Sequence, residues 1–384
     1  MTDRFTLDGS DALEQRIRAD LDRVREEVLR VVGDRNISAL ILGGSYGRGE
    51  GGVFETPEGE RPYHNYNLHT VIPAPSRSRR NSVHRTLREA GKRLSAERGI
   101  DIDFAPPISG PDIPHLPYEL PHMELKEGHK VIYGPPAILS EMPYYDTTLV
   151  PLAEGARILL KHGAQLLKCR RMVAAGIQDV ETLVCSIHRA NMAMGDAILF
   201  VRRAYAPSFV QRVEHFEACD LQGVPEVETL HGLYFAALRF KLRPQIDVPA
   251  GHDAASWLHD TIVLFEQLHL WYERKRLNRR TMNWEEYTSM PTRVPAQSLS
   301  ERAGNVRHNM RLHGWSAARD LARASRDPYD ELMTLLPRTL YGSESELLEK
   351  EFFRLWNSVA PETSTNHAAA ARAPMADGVV EHGN

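Results

Sequence analysis

The 384-residue chain holds only three cysteines, Cys169, Cys185 and Cys219, an odd and widely spaced set that excludes a disulfide framework and a zinc ribbon. No stretch approaches the roughly 20 consecutive apolar residues that would span a bilayer as a helix. A formal net charge of −4 supplies no global attraction to nucleic acid or to an anionic membrane. None of the 17 histidines falls in a His-x-x-x-His pair with an adjacent acid, so a helical zinc site is excluded. No Ser/His/Asp or Cys/His set stands out. Residues 1–15 have neither an apolar core nor a basic amphipathic pattern, so no signal or transit peptide is expected there. Together these absences predict a soluble, cytoplasmic protein whose ligand must be read from local sites.

Periodicity supplies the organisation. Ser10 followed by Leu13, Ile17, Leu21, Val24 and Val28 predicts a capped surface helix. Residues 37–42 form a short apolar run ending at Gly43-Gly44, a buried strand before a tight turn. Residues 50–62, rich in glycine, proline and charge, read as a loop. Residues 66–72 and 100–104 read as strands, with a second amphipathic helix between them marked by Val83, Leu87, Ala90 and Leu94. One or two further strands are expected between Met123 and Tyr133. From about Leu149 the signals are helical, at roughly 151–172, 178–204, 208–220, 226–241, 253–277 and 299–324, with shorter helices to 358. The predicted class is α+β: a mixed-sheet unit over 1–148, an all-helical unit over 149–358 and a disordered tail over 359–384.

Residues 43–52, GGSYGRGEGG, carry the first functional signal. A strand ending in Gly43-Gly44-Ser45 lets the backbone approach a ligand closely. A helix starting there would point N–H groups at an anion, with Ser45 and Arg48 as further donors. Alternation places Asn65, Asn67 and His69 on one face of their strand and Asp101 and Asp103 on one face of theirs. If those strands are neighbours, a polar cluster forms beside the glycine turn. The arginine-rich helix after Ser76 lacks interleaved aromatic residues for stacking bases, so nucleic acid is not expected as a partner.

With these residues the chain resembles the nucleotidyltransferase superfamily that includes DNA polymerase beta. It is more closely similar to bacterial nucleotidyltransferase-domain proteins with a GRGEGG turn, an Asn-Asp-Tyr-Asp-Leu strand and a helical C-terminal half. The likeness runs over roughly residues 30–358, with weaker matches at 194–198, 205–212 and 240–244. It implies that Gly43, Gly44 and Ser45 hold a nucleoside triphosphate, that Lys241 and Arg243 reach phosphates, and that Mg²⁺ or Mn²⁺ binds at strand carboxylates. Asn65 and Asn67 stand where two of those carboxylates belong, while Asp103, or else Asp101, stands for the third, which also deprotonates the acceptor. Hard divalent ions need anionic oxygen, so the amides remove most of that attraction. His69 is a candidate substitute ligand for a softer ion. Residues 161–163, Lys-His-Gly, replace an Asn-Arg-Gly of the relatives.

Two functions are therefore expected in competition. One is a nucleotide-binding protein with lost or impaired two-metal catalysis, acting as a pseudoenzyme or in a regulatory or protein-interaction role. The other is an active transferase moving a nucleotidyl group to a small-molecule hydroxyl or a protein side chain.

Overall fold

The computed structural model describes residues 4–249, 251, 253–294, 299–313, 324–342 and 345–359. Among these the strands precede residue 134 and the elements after residue 149 are helical, which makes the protein α+β with a mixed sheet at the N-terminal side. The expected tail and the end of the 299–324 helix lie outside the described residues.

Helix α1 (Asp11–Val32) begins where the Ser10 hydroxyl accepts a hydrogen bond from the Leu13 N–H, the cap expected from the sequence. It is followed by strand β1 (Ala39–Gly43), buried along its whole length, and by a short helix α2 (Gly44–Arg48). Residues 50–62 are not the loop expected from their composition. They form a hairpin, β2 (Gly52–Thr56) and β3 (Gly59–Tyr63), closed by a two-residue turn with Gly59 at φ +115. Tyr46 of α2 fastens it: its hydroxyl accepts from the Tyr63 N–H at 2.7 Å and donates to the Gly52 carbonyl at 2.7 Å. That long-range clamp lets charged, proline-containing residues pair as strands, and composition does not reveal it.

Strand β4 (Asn65–Ile72), helix α3 (Arg77–Arg98) and strand β5 (Asp101–Phe104) follow as predicted. A short β6 (Ile108–Ser109) runs parallel to β4, and β7 (Lys130–Tyr133) completes the sheet, ordered β5-β4-β1-β7. The β4–β5 pair is parallel and the β1–β4 and β1–β7 pairs are antiparallel. Only part of the Met123–Tyr133 stretch is strand. Helix α4 (Leu120–Glu127), with Pro121 in its first turn, takes the remainder and buries Met123 and Leu125 together.

The two sheet faces have different partners. Leu40, Leu42, Tyr66, Leu68, Ile102 and Phe104 pack with Ile17, Val24, Leu87 and Leu94 of α1 and α3. On the opposite face Ala39, Ile41 and Val71 join the core of the helical region without a break. That region is built around α6 (Val180–Arg202), nearly continuously buried from Ala190 to Phe200, against α5 (Leu152–Ala174), α8 (Val227–Leu242) and α9 (Ala254–Arg276). Among the described residues helices α7 (Phe209–Ala218), α10 (Trp284–Ser289), α11 (Leu299–His313), α12 (Pro328–Leu336) and α13 (Glu346–Val359) also belong to it. No helix among the described residues is long and apolar enough to cross a membrane.

Candidate functional site

Strand register assembles the site. β1 and β4 pair Gly43 with Asn67, while β4 and β5 pair Asn65 with Asp101 and Asn67 with Asp103. The glycine turn, both amides and both carboxylates thus meet on the sheet face that looks toward α5, α6 and α8. The neighbouring strands and common face expected from period-two alternation are both present.

Gly44 sits at φ +65, a conformation that L side chains rarely adopt, and a Cβ there would collide with the Asn67 amide nitrogen. The turn and the amide are therefore in van der Waals contact. Asn65 Nδ2 donates to Asn67 Oδ1 at 2.7 Å and to Asp103 Oδ2 at 2.8 Å. Its Oδ1 lies 2.6 Å from His64 Nδ1, and His64 Nε2 lies 3.0 Å from an Arg189 guanidinium nitrogen on α6. His64 holds φ +84, an unusual conformation for a non-glycine residue and one that turns it out of the strand toward α6.

Both carboxylates resist ionisation. Burial, and then the neighbouring Asp103 charge, push Asp101 up to about 6, against the pull of Arg189. Asp101 Oδ2 is buried without a hydrogen-bond partner among the described residues. Burial also raises Asp103, while the Asn65 hydrogen bond, Lys161 and Arg88 draw it back.

Opposite them the helices supply cations. Lys161 of α5, Arg189 of α6 and Lys241 of α8 lie within electrostatic reach of one another. Burial, then Arg189, Arg48 and Lys161, bring Lys241 down to about 7. Lys161 keeps an exposed side chain, yet the protein around the cleft and the Arg189 charge hold its ammonium below the usual lysine range. His162, beside them, is pushed by burial and then by Lys161 to about 3 and stays neutral.

The remaining expected residues divide. Ser45 stands next to Gly44 at the start of α2. Arg48 is anchored away from the turn: its Nε lies 3.3 Å from Glu50, its guanidinium covers the Phe209 ring at 5.4 Å, and Nη1 is buried without a hydrogen-bond partner among the described residues. Arg243 leaves the cluster altogether, bound to Asp8 at 2.9 Å and Glu55 at 2.5 Å and near Glu60 at 3.5 Å. Its position one residue past the end of α8 turns it to the outer surface, where those three carboxylates wait. His69 packs against Gly43 and is neutral, brought to about 4 by burial and by His122 and His129. Among the described residues no three His, Cys, Asp or Glu side chains are arranged to hold a metal ion.

Sequence reading did not assign roles to His64, Lys161 or Arg189. For His64 the decisive signal is backbone conformation, which spacing does not show. Lys161 drew notice only as a departure from the Asn-Arg-Gly of the resembling proteins, and Arg189, one of several charged residues on α6, carried no signal in the sequence.

The weaker matches at 194–198 and 205–212 turn out to belong to one buried polar network. Arg212 donates to Asp196 at 3.0 Å, to Glu124 of α4 at 3.3 Å and to the Tyr205 hydroxyl, while Tyr234 donates to Asp196 at 2.8 Å. Gly195 leaves room for the Tyr234 ring. Through Glu124 this network fastens the helices to the sheet side.

No protein-family model and no curated protein matches the chain. Among solved structures it is similar to spectinomycin adenyltransferase AAD(9) from Enterococcus faecialis, crystallised with ATP and spectinomycin, at 13% identity and a TM-score of 0.37. That match covers 65% of this chain and 98% of the other.

Proposed function

We propose that this chain is a nucleotide-binding protein of nucleotidyltransferase-like design, in which two-metal nucleotidyl transfer is lost or strongly impaired. One observation carries the reading. Lys161, Arg189 and Lys241 lie within electrostatic reach of one another and Lys161 of Asp103, and among the described residues neither ammonium has a hydrogen-bond or ion-pair partner. Like charges held within reach of one another around the half-buried Lys241 ammonium are unfavourable until an anion joins them. Asp103, in reach of Lys161, is joined through Asn65 to Asn67, whose amide touches Gly44, so N–H donors and cations occur together as the oxygens of a triphosphate would need. The Asn pair supports the loss of catalysis, since neither amide brings charge or accepts a proton at neutral pH.

Titration of the protein with nucleoside triphosphates, followed by a transfer assay in Mg²⁺, tests both halves. Saturable binding without turnover is expected. Absence of binding removes the first half, and turnover at ordinary enzymatic rates removes the second.

The second reading, an active transferase, is favoured by Asp101. A half-buried carboxyl brought to about 6, with its buried oxygen unpartnered among the described residues, is tuned for proton abstraction near neutral pH. Its expectation is label transfer from an α-labelled triphosphate to an acceptor, abolished in Asp101→Asn.

A further inference from the structure

The residues in the cleft disagree with the pair of divalent ions that the family resemblance implies, and the disagreement identifies the form of ligand the site takes. A two-metal site works because carboxylate oxygens on neighbouring strand positions share their lone pairs among cations. Here the space between Asn67 Oδ1 and Asp103 Oδ2 belongs to an amide NH₂ group, at 2.7 Å from one and 2.8 Å from the other. Its two hydrogens take up the lone pairs that a cation would use, and they present positive charge where the cation would sit.

The amide orientation is fixed from a distance. A guanidinium only donates, so Arg189 makes His64 Nε2 an acceptor and leaves the ring proton on Nδ1. His64 Nδ1–H then donates to Asn65 Oδ1, which turns Asn65 Nδ2 toward Asn67 and Asp103. Asn67, accepting through its oxygen, must aim its own NH₂ elsewhere, and that nitrogen is the atom nearest a Cβ built on Gly44. The chain of donors that begins at Arg189 therefore ends with an N–H donor directed at the glycine turn. Such a group suits a phosphate oxygen and not a metal.

Resting on the nucleotide-binding reading above, we propose that the site binds its polyphosphate as the metal-free anion. The Asn67 amide, Lys161 and Lys241 supply the neutralisation that divalent ions supply in two-metal enzymes. Divalent cations then compete with the protein for the phosphates and do not assist binding.

Calorimetric titration of the full chain with ATP, once in EDTA and once in excess MgCl₂, tests this directly. Magnesium removes two of the ligand's negative charges, and at water-like screening each lost charge contact is worth about fivefold. Binding at least about fivefold tighter in EDTA is therefore expected. Tighter binding in MgCl₂ overturns the proposal while leaving the nucleotide reading intact; no binding in either buffer overturns both. The double variant Asn65→Asp, Asn67→Asp, checked for an unchanged circular dichroism spectrum, should reverse the sign and bind ATP more tightly with Mg²⁺. The same Mg²⁺ response in parent and variant would show that the amides do not set it.

Discussion

Two groups of positive charge, one around Arg212 of α7 and one around Lys241 of α8, are treated differently by the protein. At Arg212 burial works against the charge, but Asp196, Tyr205, Tyr234 and Glu124 more than offset it, and the guanidinium is held above its usual range. Its donors are spent on Asp196, Glu124, Tyr205 and the Ala206 carbonyl. At Lys241 burial also leads, but the next neighbours are Arg189, Arg48 and Lys161, and the ammonium falls to about 7. A structural cation is completed by the protein's own carboxylates. On the nucleotide-binding reading proposed above, Lys241 is left without such partners, and the energy of its crowding returns when an anion binds.

Breaking each cluster should therefore have opposite effects on stability. The largest is expected for Arg212→Met, which leaves Asp196 buried without its charge partner. A loss of about 3–5 kcal/mol in denaturant unfolding is expected, with the link between α4 and α7 weakened. Stability within 1 kcal/mol of the parent, set against that estimate, would erase the contrast.

Lys241→Met should do the reverse, stabilising the ligand-free protein at pH 7 by about 1–2 kcal/mol after solvent screening while weakening ATP binding roughly tenfold or more. A variant that loses both stability and binding would place Lys241 with Arg212 as a structural cation.

The pH dependence sharpens the same point. Lys241 is lowered from 10.5 to about 7, so below 7 the folded and unfolded chains both carry the proton and the folded state bears the full cost. Between about 7 and 10.5 the unfolded chain binds more protons, and stability from this group rises with pH. The gain from Lys241→Met should accordingly shrink from pH 7 toward pH 10, as thermal melts in a pH series would show. ATP affinity of the parent should fall over the start of that window, as the ammonium is lost.

The smallest effect concerns the acidic side of the cleft. Asp101 is raised from 3.8 to about 6, so its contribution is fully present below 3.8 and is lost as pH rises through 6. Asp101→Asn should be neutral at pH 3.5 and stabilising by up to about 1 kcal/mol at pH 7, the half-open site screening the remainder. Equal effects at both pH values would show that its carboxyl titrates normally.

Much of this arrangement was legible in the chain. Caps and helical spacing located α1, α3 and the long helices of the second half, because burial of one apolar stripe leaves a periodic mark. Alternation put Asn65 with Asn67 and Asp101 with Asp103 on common faces, since the strand period is two in any context. The hairpin of residues 52–63 was not legible, because Tyr46 and not local propensity holds it. Nor was the fate of Arg243, whose three carboxylates come from residues 8, 55 and 60.

By itself, then, the sequence determined most of the strands and long helices, the glycine turn after β1 and the common faces of Asn65 with Asn67 and Asp101 with Asp103, all properties of neighbours along the chain. Tertiary structure alone decided which way those amides point. That orientation depends on Arg189, 124 residues beyond Asn65, reaching His64 across the cleft, and hydrogen-bond direction is a property of atoms in space and not of spacing in the chain.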